Sequence, residues 1–165
     1  PLSMIPVRPN GPGAEPPMEQ NIVRVNKFFH AHPWLVFDND GSDQIDGIRF
    51  SVYLEGPQRS QGVFGSGTMI VTMYRLDGDK TGREVPTKLQ EWEMTSQQAY
   101  PWRAKKQTLL GWGYGLRLHW DNKLKLEGKQ IALVIRYVRE DGQAISSSRQ
   151  VLKVPVHSSS SIARR

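Results

Sequence analysis

From Trp112 to Trp120 the even-numbered residues are Trp, Tyr, Leu, Leu and Trp, and the odd-numbered ones are Gly, Gly, Arg and His. A period of two marks a β-strand with one face in an apolar interior and the other outside it. Glycines at 111, 113 and 115 let other backbone approach closely or let the strand bend. The stretch therefore predicts the central strand of an all-β domain, with the remaining strands placed to cover its aromatic face.

The rest of the chain supplies those strands. Residues 48–54 alternate Ile, Phe, Val and Leu with Arg, Ser and Tyr. Residues 68–76 are apolar nearly throughout, as a strand covered on both faces would be. Residues 130–138 read as a third clear strand, 22–25 and 89–94 as shorter ones, and 147–154 as the last, with Gln150, Leu152 and Val154 turned inward. Asp77–Gly82 and Glu140–Gln143 carry hairpin chemistry. One short helix is expected over 95–100. Thr95 stands as its N-cap, Gln98 lies three residues on as in a capping box, Pro101 follows, and Trp102 folds back onto the sandwich. About seven or eight strands separated by turn signals predict an antiparallel, immunoglobulin-like β-sandwich, with a closed barrel as the alternative. No βαβ rhythm appears, which argues against nucleotide-binding α/β folds.

Composition sets the domain limits. Residues 1–20 hold six of the 11 prolines and predict an extended, disordered linker. Residues 21–156 carry the apolar content of one domain, and 157–165 form a Ser-rich basic tail expected to be disordered. The start at Pro1 fits a fragment or a processed form. No run of apolar residues is long enough for a membrane-spanning helix. The chain has no cysteine, so disulfides and thiolate chemistry are absent. Net charge is +6 and uneven: residues 1–100 carry nine Lys and Arg against 12 Asp and Glu, residues 101–165 carry 13 against four. A basic half faces either solvent or an anionic partner such as nucleic acid or an envelope polymer.

Few motifs carry chemistry. Asp38, Asp40, Asp43 and Asp46 place four carboxylates in nine residues, and hard cations such as calcium take six to eight oxygens from loops of this kind. The spacing opens as D-x-D-G but departs from an EF-hand, with Gly41 at the fourth loop position and Arg49 at the twelfth. A looser calcium loop is one expectation, and a solvated Asx/Gly turn the other. His30 and His32 have strand spacing for a metal but need further ligands. Trp102, Trp112 and Tyr114 cluster near glycines and basic residues and form a candidate sugar-stacking set. His119, beside Trp120 and Asp121, is a conceivable base. No G-x-S-x-G, phosphate-binding glycine loop or HExxH is present, and no catalytic residue or cofactor is expected.

Trp34 to Gly47, then IRFSVYLEG, GTMIVTMYRLDG, LQEWEM and GWGYGLRLHW in that order, resemble a group of uncharacterised bacterial envelope proteins of planctomycete type. These are often lipoproteins with a Pro-rich segment ahead of one β-sandwich, and the likeness covers roughly residues 22–156. The resemblance implies a cell-envelope, periplasmic or extracellular setting and an upstream lipid anchor. It implies no activity. The expected function is therefore a non-catalytic, envelope-associated β-sandwich that binds or supports another macromolecule, a protein or an envelope polymer. Carbohydrate binding through Trp102, Trp112 and Tyr114 is the first alternative, and nucleic-acid binding through the basic half a further one.

Overall fold

A computed structural model of the chain describes residues 18–37, 43–156 and, for the backbone alone, 163 and 164. Twelve strands and one short helix make up the described structure. The first sheet contains β1 (Met18–Glu19), β2 (Arg24–Phe28), β3 (Trp34–Val36), β4 (Gly47–Glu55), β5 (Gly62–Gly65), β8 (Tyr114–His119) and β12 (Ala163–Arg164). The second contains β6 (Thr68–Gly78), β7 (Glu84–Met94), β9 (Gln130–Val138), β10 (Ala144–Ser146) and β11 (Gln150–Lys153). Pairing is antiparallel except where β1 joins β5 and β12 joins β3. The all-β sandwich expected from the alternating patterns is the architecture observed.

Two apolar faces make the core. Ile48, Phe50, Val52 and Leu54 of β4 and Tyr114, Leu116 and Leu118 of β8 turn inward, as their spacing requires. Met69, Val71 and Met73 of β6 and Ile131, Leu133, Ile135 and Tyr137 of β9 meet them from the second sheet. Interdigitation of such faces is what holds a sandwich together, at about 25 cal/mol for each Å² of apolar surface withdrawn from water.

The centre of the first sheet differs from the expectation. The strand within 112–120 begins only at Tyr114, and its strand partner among the described elements is β4 alone. β4 is the hub, pairing with β2, β3, β5 and β8. Alternation with one face inward is the same for a central and an edge strand, so the pattern locates the buried face and not the position in the sheet. The far side of β8 is partly covered. Arg103 bridges Tyr114, and the Ala104 N–H donates to the Gly113 carbonyl. At its end, the Trp92 indole and the Gln90 amide of β7 donate to the His119 carbonyl at 3.3 and 3.5 Å, tying the two sheets along this side.

Other elements follow or extend the sequence reading. Thr95 and Gln98 form the capping box on α1 (Ser96–Ala99). Pro101 does not stop the chain's helical course but sits at the start of a 3-10 turn over Tyr100–Trp102, where a missing N–H costs nothing. β7 reaches back to Glu84 because its ladder with β6 runs through to Gly78, across a register shift at Met73/Tyr74. The two hairpin turns are built on carboxylates. Thr81 and the Arg83 amide hold the Asp79 carboxyl below its usual range, and the Gln143 amide and Arg139 do the same for Asp141.

Candidate functional site

The acidic stretch is described only in part. Asp38 and Asp40 lie outside the described residues. Asp43 is exposed, and Asp46 is 2% exposed. Asp46 directly precedes β4, and its main chain is fixed on two sides: its N–H donates to the Leu35 carbonyl at 3.1 Å and its carbonyl accepts from Trp120 N–H at 2.9 Å. Its carboxylate accepts from the Phe37 N–H at 2.9 Å and lies 3.1 Å from His119 Nε2. The side chain thus closes the loop it was expected to serve, joining the ends of β3 and β8. Among the described residues no three His, Asp or Glu side chains converge as a metal-binding group.

His119 is held rather than free. Its ring meets Asp46 on one side and packs on Phe37, with centroids 4.7 Å apart. His30 lies edge-on against Phe28, with ring centroids 5.0 Å apart.

Of the expected sugar-stacking set, Trp102 and Tyr114 both line one cleft, with the Tyr114 ring itself buried, and Trp112 lies outside that lining. Tyr114 is 2% exposed and points into the core, where its hydroxyl accepts from Gly65 N–H at 3.0 Å. Burial pushes its phenol above the usual tyrosine range. Trp112 is half-buried against Phe64. Even spacing on a strand puts Tyr114 on the inward face, and that is why it is lost to a ligand. Trp102, off the strand on the 3-10 turn, is half-buried and packs back against the core, as expected, with part of its ring still open.

Trp102 borders an open cleft of about 450 Å³ on the outer face of the first sheet. Its floor is Ser51 of β4 and Gly115 of β8, which face each other across the ladder. A side chain placed at Gly115 would meet nothing within 4 Å, so the glycine leaves the floor open. Pro101, Trp102 and Ala104 form one wall, and Thr108 and Tyr53 another, with their hydroxyls 3.3 Å apart. Arg117 closes the end, directly opposite Arg49 on β4. The Nε of Arg49 is buried and has no hydrogen-bond partner among the described residues. Sequence reasoning found Trp102 but missed the cleft. Ser51 and Tyr53 are far in the chain from Thr108 and Arg117, and the β4–β8 ladder together with the loop 103–113 brings them to one place.

No family model matches the chain, and no curated protein matches it. Among solved structures, the crystal structure of MtrC from Shewanella baltica OS185 is similar over 82% of this chain and 24% of its own length, at 12% identity and a TM-score of 0.44. The chain thus spans about a quarter of that protein, and a likeness this distant carries nothing about its role.

Proposed function

We propose that the chain is a non-catalytic binding domain of the cell envelope, an immunoglobulin-like sandwich that holds another macromolecule on the outer face of its first sheet. The observation that carries this is the cleft over Ser51 and Gly115, with Trp102 as its wall and Arg117 at its end. Sites for ligands are concave and combine an apolar or aromatic wall with a few polar groups, and this cleft falls within the usual size of ~300–1,000 Å³. The envelope setting rests on the resemblance of residues 22–156 to envelope proteins.

A polysaccharide is the ligand that Trp102 favours, since an indole face stacks on sugar rings and the hydroxyls and arginine supply hydrogen bonds. Of the earlier set, Trp102 alone carries this reading. The test is a glycan array with the wild type and Gly115→Leu, which fills the floor where there is space. Array binding that Gly115→Leu abolishes at unchanged melting temperature is the expected result. Binding indifferent to Gly115→Leu would remove the cleft from the proposal. Retention on single-stranded nucleic acid at low salt, with an empty array, would replace the polysaccharide with nucleic acid.

A further inference from the structure

Thr108 and Gly111 pair with each other in both directions, Thr108 N–H to the Gly111 carbonyl at 2.9 Å and Gly111 N–H to the Thr108 carbonyl at 3.0 Å. Leu109 and Leu110 are the two residues between them. Hairpin tips favour Gly, Asn, Asp and Pro, each for a backbone reason that leucine does not share. Yet Leu109 is 97% exposed and Leu110 50%.

The tip is fixed in this form. Gly111 takes the left-handed step, at φ +98°, and no described non-glycine residue has positive φ. The Thr108 hydroxyl accepts from Leu110 N–H at 3.1 Å. Gly62 of β5 donates to the Leu110 carbonyl at 2.7 Å and accepts from Trp112 N–H at 2.9 Å. The chain therefore presents two leucines on a rigid knuckle, where burial elsewhere in the fold does not reach them.

Basic side chains lie on the segments that lead into this knuckle. Lys105 and Lys106 are exposed on its approach, and Arg59 is exposed on the loop leading to Gly62. No acidic residue occurs from 94 to 120. We infer that the Leu109–Leu110 tip is a membrane-docking element that inserts its leucines into an anionic bilayer surface while the lysines meet the headgroups. Area and charge favour a bilayer over a protein partner. Two leucines offer roughly 200 Å² of apolar surface, whereas a stable protein interface takes ~800 Å² from each side. For an interfacial anchor the leucines add to the attraction of each nearby Lys for anionic lipid, and the two together suffice for reversible binding.

The test is flotation of the intact chain with vesicles of phosphatidylcholine, with and without phosphatidylserine. Variants are Leu109→Ser/Leu110→Ser and Lys105→Gln/Lys106→Gln, each checked for an unchanged melt. Wild type is expected on the phosphatidylserine vesicles and not on neutral ones. The double leucine variant should bind about a hundredfold more weakly, about tenfold for each leucine. The lysine variant should lose about thirtyfold, with the residual binding less sensitive to salt. Failure of the folded wild type to float, or equal flotation of the double leucine variant, would overturn the inference. Neither outcome touches the cleft, which the glycan array reads separately.

Discussion

Replacing Asp46 by alanine separates a structural carboxylate from a calcium ligand. The substitution strips the acceptor from the Phe37 N–H and the anchor from His119 Nε2. A donor left without its acceptor costs about 1–3 kcal/mol when buried. Phe37 is only half-buried and His119 a third exposed, so water recovers part of the loss. A net loss of about 2 kcal/mol is expected, and for a domain of this size that lowers the melting temperature by about 6 °C. Thermal melts followed by circular dichroism, with calcium and with chelator, read it. If Asp46 acts as the fold indicates, Asp46→Ala melts lower in both conditions, and calcium moves neither protein. His119→Ala should lose less, because the Phe37 bond survives, and the double variant should fall short of the sum of the two losses. A calcium-dependent rise in the wild type that Asp46→Ala abolishes would refute this and restore the metal loop, since a ligand that binds the folded state must stabilise it. A melt within about 1 °C of wild type in both conditions would refute the structural role.

Two further outcomes follow from buried groups and backbone. Burial holds the phenols of Tyr114 and Tyr137 above the usual tyrosine range, so the unfolded chain releases their protons first, near pH ~10. Stability is then full below that pH and falls as pH rises from it toward the folded values, and urea titrations should show a shallower alkaline decline in Tyr114→Phe. An identical slope would mean that the phenol is not protected. Gly111→Ala places a Cβ 2.2 Å from the Gly62 nitrogen at a φ that L residues avoid, and should cost at least ~2 kcal/mol by chemical denaturation; a neutral change would show that the tip is not fixed as described.

Much of the fold was legible in local pattern. The alternation in 48–54 and 112–120 placed the inward side chains correctly because side-chain direction on a strand has a strict period of two. Thr95 and Gln98 announced the helix start because a capping box is satisfied within four residues. The short strands β1, β3, β5, β10 and β12 were missed as strands, β1 and β12 within segments expected to be disordered, since two to four residues carry too little periodicity to read.

The sequence by itself determined the sandwich, its two apolar faces and the position of the helix, all of which depend on residues a few places apart. Only the tertiary structure decided that β4 and not β8 is the hub, because strand order depends on hydrogen bonds between distant segments. It alone turned Asp46 from a loop carboxylate into a clasp between β3 and β8 and raised Leu109 and Leu110 into solvent. Each of those outcomes is set by what the far side of the chain covers or leaves open, and a local pattern does not contain that information.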